Sequence, residues 1–296
     1  MNHFRQFVSK NLGVLLVVPA FALLMGISIY PLIYCAVLSV EDWNFLKAYI
    51  PPSFVGVANY VELFKDPAFA NTLQVSILFA FATVSIELAL GILIGMLFSS
   101  ERLRFAGLLR SLMLLPMVVT PVIVGLTWKT LLNQKWGIVN YFLSQIGVEG
   151  IQWYTSPTEA LPTMVLIDVW QWTPFVALVV FAALLSMPRE PFEAAAIDGA
   201  SRVQVFRHVT LPMLRGAIAL AVLIRLIDAL REFDKIYVLT RGGPGQHTDV
   251  LSIFGYRTAF FHGYVSYASA ISFVLFVIII VLCTVLLTRV LAKKEK

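Results

Sequence analysis

Arg225, Asp228, Arg231, Glu232 and Asp234 are among the ionisable side chains that interrupt a largely apolar run. Groups of this kind can pair with one another or line a polar path, and at membrane depth they face protein interior or water. Arg225, Asp228 and Glu232 are spaced three and four residues apart, so they share one helical face. Arg225–Asp228 and Arg231–Asp234 are each spaced for local pairing. Two readings stand: structural ion pairing, and a polar wall along a substrate path. Glu87 and Asp168 lie in two other apolar runs and belong with this set. Glu87 stands more alone and is expected in a buried interhelical hydrogen bond. Trp170, Gln171, Trp172 and Thr173 directly precede Pro174. A neutral polar group between indoles suits a sugar, whose apolar faces pack on rings while its hydroxyls need partners. The alternative is an aromatic belt at the membrane interface, with a cavity role left to Gln171.

Other chemistries find little support. The chain has neither the His-Glu-x-x-His pattern of zinc hydrolases nor the Gly-x-Ser-x-Gly of a nucleophile elbow, so no metal or catalytic residue is expected. The turn-rich segment Thr240-Arg241-Gly242-Gly243-Pro244-Gly245-Gln246-His247 lacks the Lys-Ser/Thr ending of a phosphate-binding loop. No such loop occurs elsewhere, so ATP and magnesium, if used, are held by another subunit. Cys35 and Cys283 both fall in apolar runs and read as small buried hydrophobes. The net charge of +5 could suggest nucleic acid, but the placement of the basic residues argues against it.

Elements that span a membrane must position these residues. Hydrophobic residues make up 59% of the 296 and charged residues 13%, where a soluble domain carries about 25% charged. A spanning helix needs about 20 apolar residues. Six runs qualify: Leu12–Val40, Leu73–Phe98, Leu108–Leu132, Leu161–Leu185, Gly216–Leu239 and Val265–Val290. One bundled domain over 12–290 is expected, between tails 1–11 and 291–296. The first run exceeds the roughly 7–15 residues of a signal-peptide core and is not read as a cleaved leader. Most Lys and Arg residues cluster in the segments on the side of the N-terminus, which predicts cytoplasmic termini and a cytoplasmic 187–215 segment. The opposite loops are aromatic, and Asn59–Lys65 is expected as a short helix on the membrane surface. Pro19, Pro31, Pro116, Pro121 and Pro174 mark breaks that serve either packing or a hinge and cavity wall.

The 187–215 segment reads as a helical hairpin. Pro188 and Pro191 suit a helix entry, and Glu190 and Glu193 suit its dipole. Ala194, Ala195 and Ala196 favour helix and leave room for another surface. Gly199 fits a left-handed end and Ser201 a cap for a second helix, with Val203 and Phe206 on one side. Leu211-Pro212 is expected to end that second helix before the fifth crossing.

These residues resemble the signature loop of permease subunits of bacterial ABC importers, E-A-A-x-x-x-G followed by I-x-L-P. Glu193, Ala194, Ala195, Gly199, Leu211 and Pro212 match, with Val209 in the Ile place. Asp198, Ala200 and Phe206 extend the match to the carbohydrate-importing branch. So do Trp172-Thr173-Pro174-Phe175, Ile227-Asp228, Phe233-Asp234 and Tyr237–Pro244. A proline often found soon after Leu-Pro is absent, with Gly216 near that place.

The resemblance implies an all-α membrane protein with six transmembrane helices and the ABC importer type I permease fold. It implies a second homologous permease, a cytoplasmic ATPase dimer that takes the hairpin into a cleft, and a periplasmic or lipid-anchored solute-binding protein. A sugar or polyol is the expected substrate, with no nucleic acid. The place is the bacterial inner membrane, in contact with lipid. Gln171, Trp172, Arg225, Asp228 and Glu232 are the expected substrate path. Glu193, Ala194, Ala195, Asp198, Gly199, Phe206, Leu211 and Pro212 are the expected ATPase-coupling residues. The competing reading is a stand-alone secondary transporter driven by an ion gradient.

Overall fold

The structure, a computed structural model, describes residues 16–100, 105–148 and 150–292. The expected tail at 1–11, residues 293–296 of the expected tail at 291–296, and Arg102 and Arg104 of the orientation argument lie outside the described residues. The described chain is almost wholly helical and consists of two compact units, Met1–Asp66 with Gly255–Val274, and Pro67–Phe254 with Leu275–Lys296.

The first unit begins with α1, Leu16–Leu38. Its large apolar side chains, from Leu16 to Val37, are largely exposed. A two-stranded antiparallel ribbon follows, β1 (Glu41–Asp42) with β2 (Ser53–Phe54), and then α2 (Ala58–Lys65). The short helix expected at 59–65 is therefore present. Buried Asn59 ties it to the ribbon by donating to the carbonyls of Ser39 and Glu41 at 2.9 and 2.7 Å.

The second unit contains α3 (Pro67–Ser99), α4 (Ala106–Val118), α5 (Pro121–Leu131), α6 (Ile138–Gln145), α7 (Ala160–Leu185), α8 (Glu190–Ile197), α9 (Arg202–Val205), α10 (Leu211–Leu230) and α11 (Asp234–Leu239). The chain then runs through α12 (Leu251–Phe260) and α13 (Val265–Ala292). The most extensive packing joins α3 to α7. Gly91 and Gly95 make it possible: a Cβ on Gly91 would lie 2.5 Å from Val176, and one on Gly95 2.8 Å from the Ala177 carbonyl and from Val180. Two glycines one turn apart let the backbones meet, and in lipid that van der Waals contact replaces the missing hydrophobic drive.

Of the prolines expected to mark breaks, Pro116 and Pro174 lie inside α4 and α7 without ending them, and others sort into two kinds. Pro121 opens α5 after the extended residues Val119 and Thr120, and α4 and α5 meet there at 95°. Pro31 and Pro212 instead follow a π turn. The Tyr30 N–H bonds to the Met25 carbonyl before Pro31, and the Leu211 N–H to the Phe206 carbonyl before Pro212. The wider turn takes up the proline ring, which would otherwise strike the carbonyl one turn back. The expectation that Leu211-Pro212 ends the second hairpin helix is therefore corrected: the helix runs on through the π turn Phe206–Thr210 into α10.

Among the described residues, four helices are long and apolar enough to cross a membrane, or five if the bent pair α4–α5 counts as one span. The run expected over Gly216–Leu239 is not one of them. It breaks at Arg231–Phe233, and α10 carries Arg215, Arg225 and Asp228.

Candidate functional site

Asp168, Gln171 and Trp172 sit one turn apart on α7, and Glu87 lies on α3. Arg225 is on α10, and Lys235 opens α11 just beyond the break. Packing of these helices brings the charges into one hub. Arg225 Nε and Nη2 donate to the two oxygens of Glu87 at 2.7 and 2.9 Å. Nη2 also donates to Asp168 Oδ2 at 2.8 Å. Lys235 Nζ donates to the other oxygen of Asp168. It further bonds to Gln171 Oε1 at 3.1 Å and pairs with Glu232 Oε2 at 3.0 Å. Gln171 Nε2 then donates to the Val119 carbonyl at 3.0 Å, at the bend between α4 and α5.

Glu87, Asp168, Gln171, Arg225 and Lys235 are all at most 2% exposed. The two enclosed acids balance the two enclosed bases. Burial removes each charge from water, so the arrangement holds only because every charge has an opposite partner and the guanidinium meets Glu87 fork to fork. The ring of Trp172 covers the remaining face, with the Arg225 Cζ 4.7 Å from its centroid. The edge of the hub is more open. Glu232 is 11% exposed and Asp228 45%, and Asp228 stands 3.8 Å from Arg225.

The structure thus brings all five expected path residues to one place, with Arg225 and Gln171 enclosed and Trp172, Asp228 and Glu232 at its rim. Glu87 does make an interhelical contact, to Arg225 138 positions away. Arg231 and Asp234 form no ion pair among the described residues. Lys235 is the participant that sequence reading left out. Its spacing from Glu232 was available, but its bond to Asp168 spans 67 positions and no local pattern encodes it. No group of metal-binding side chains occurs among the described residues.

The hairpin is built by local rules. Pro191 lies in the first turn of α8, beside Glu190 and Glu193. The helix ends on Gly199 at φ +68°, where the Gly199 N–H bonds to the Ala196 carbonyl at 3.2 Å and the Ala200 N–H to the Ala195 carbonyl at 2.9 Å. This paired closure satisfies carbonyls that the helix end would leave open. Ser201 caps α9, and Gln204 returns the bond to the Ser201 N–H at 2.7 Å. Glu193, Ala194, Asp198 and Gly199 are exposed, Ala195 and Phe206 half-buried. Ile197 is 87% exposed and Val203 74%. A structured hairpin of two caps therefore presents apolar side chains outward.

This geometry agrees with what the chain is similar to. A probable ABC transporter permease protein of Sinorhizobium fredii is 39% identical over 92% of this chain and 87% of its own length. A trehalose/maltose transport system permease protein of Thermococcus litoralis is 36% identical over 91% of each. A crystal structure of a bacterial alginate ABC transporter, in complex with an alginate pentasaccharide-bound periplasmic protein, contains a chain of the same fold. It superposes with a TM-score of 0.81 over 95% of this chain and 94% of that one, at 23% identity. The fold is accordingly the all-α type I permease fold of ABC importers. Residues 87–296, from the hub's first acid through the hairpin and α13, match one family along their whole length, and the chain belongs to it: the binding-protein-dependent transport system inner membrane components.

Proposed function

We propose that this chain is one of two permease subunits of an ATP-driven importer for a sugar or polyol, delivered from outside by a solute-binding protein. The observation that carries the proposal is the exposed α8 hairpin. Its turn is closed by Gly199, and its outward Ala194, Ala196 and Ile197 are left exposed by the described residues. A short helix held at both ends transmits a displacement better than a loop does. A cytoplasmic ATPase dimer holding ATP and magnesium is the partner that would use it. The names of similar proteins, which include a trehalose/maltose and a lactose transport system permease, support the carbohydrate class.

In this reading both termini are cytoplasmic and the chain crosses the inner membrane six times. The bent α4–α5 pair forms one crossing and the charged α10 another. The path runs past Trp172, Asp228 and Glu232, with Arg225 and Gln171 holding them in place. An indole face and the carboxylates at the edge of the hub, Asp228 45% exposed and Glu232 11%, are complementary to a sugar's apolar face and hydroxyls.

The test is affinity capture through a tag on this chain in mild detergent, comparing the native hairpin with Gly199→Asp. An L residue at a left-handed φ is strained by about 1–2 kcal/mol, and the added carboxylate meets the docking surface. Capture of an ATPase and a second permease by the native chain, reduced by the substitution, is expected, together with loss of ATP-dependent uptake. Uptake that follows an ion gradient and ignores ATP would overturn the proposal.

A further inference from the structure

The helices of the second unit are interrupted by a 95° bend at Val119–Thr120 between α4 and α5 and by a break at Arg231–Phe233 between α10 and α11. A bend interrupts the backbone ladder and leaves carbonyls that apolar surroundings cannot satisfy. The Val119 carbonyl is satisfied by Gln171 Nε2, and the other end of the same amide is held by Lys235 Nζ at 3.1 Å. Lys235 is the second residue past the break, so one amide connects the two interruptions. The segments beyond them are also in contact. A Cβ on Gly125 of α5 would lie 3.1 Å from Val238 Cβ of α11, and Lys129 Nζ donates to the Val238 carbonyl at 2.7 Å. Pairing within the hub explains the partners of Asp168. It does not explain why Lys235 reaches past that carboxylate to an amide that ends on the α4–α5 bend.

We infer that Lys235 is a positioning residue for transport: through Gln171 it locks the α4–α5 bend to the α10–α11 break, so that α5 and α11 swing as one body when the path opens. The inference rests on the importer reading above. On this view the bend and the break are one hinge, and Lys235 with Gln171 is its pin.

The experiment uses the assembled transporter in membrane vesicles, with Cys35→Ser and Cys283→Ser as background. Gly125→Cys and Val238→Cys are introduced and oxidised with copper phenanthroline. Uptake with the cross-link in place should match that of the reduced protein, since the joined helices do not part. Loss of uptake on oxidation, restored by reduction, would overturn the inference, and this arm decides even if Lys235 variants fail to accumulate. In the same pair Lys235→Met should lower uptake about tenfold, the upper range for residues that couple two elements. The cross-link should restore most of it. Rescue by Asp168→Asn instead, with none from the cross-link, would mean that Lys235 only neutralises a buried carboxylate. Absence of ATP-driven uptake in the native chain would count against the importer reading, not against the hinge.

Discussion

The ion-pair hub and the α8–α9 hairpin are opposite solutions to the same demand for order. The hub draws its partners from α3, α7, α10 and α11, and its contacts join residues 57, 64, 67 and 138 positions apart. Nearly every atom of it is enclosed. The hairpin satisfies its own backbone within a few residues and leaves Ile197 and Val203 uncovered. A buried network stabilises by completeness, so removal of one member leaves an uncompensated charge. A capped hairpin fails gradually, because each cap contributes separately. Damage to the hub should therefore appear as loss of the protein, and damage to the hairpin as loss of coupling.

Four substitutions sharpen this contrast. Arg225→Met should have the largest effect, because it strands the Glu87 and Asp168 carboxylates. A loss of about 3–5 kcal/mol is expected, seen as poor accumulation and a lowered midpoint of thermal unfolding. Glu87→Gln added to it should recover part of the loss; no recovery would mean that packing, and not charge, holds the hub. Gly91→Val should come next. It forces side-chain atoms into a space where even a Cβ lies 2.5 Å from Val176, and overpacking costs about 1–3 kcal/mol. Helix separation between α3 and α7, read by paired spin labels, should increase.

Ser201→Ala removes the cap of α9, worth about 1 kcal/mol. Accumulation should stay normal while uptake per ATP hydrolysed falls. A fall in accumulation comparable to that of Arg225→Met would erase the distinction between the two regions. Asp228→Asn should have the smallest effect on stability, at most about 1 kcal/mol, because its carboxylate is 45% exposed and 3.8 Å from its partner. A change confined to the apparent affinity of uptake would place Asp228 on the path. An unchanged affinity would take it off.

Much of the molecule was legible in the residues. Apolar runs of spanning length predicted the helices over 73–98, 161–185 and 265–290, because the need to satisfy backbone groups in lipid leaves few alternatives to a helix. The short helix at 59–65 was expected and forms as Ala58–Lys65. The hairpin was predicted down to the glycine that turns it and the serine that caps the next helix. Pro212 misled, because proline usually stops a helix, and only a π turn in the preceding residues lets it continue. The fifth run misled for a related reason. Its composition is apolar enough to suggest one rod, but Arg231–Phe233 break it and Lys235 turns inward to Asp168 and Gln171 on α7.

Sequence alone determined what depends on neighbours along the chain: composition, periodicity, caps and the signature hairpin. These are short-range preferences, each set by residues within a turn or two of one another. Tertiary structure decided which charges meet. Glu87, Asp168, Arg225 and Lys235 are separately visible as costly intrusions into apolar runs, yet their pairing depends on how the helices approach and rotate. That approach is governed by glycines at α3–α7, by the bend between α4 and α5 and by the break between α10 and α11, features whose consequence appears only when distant segments are packed together.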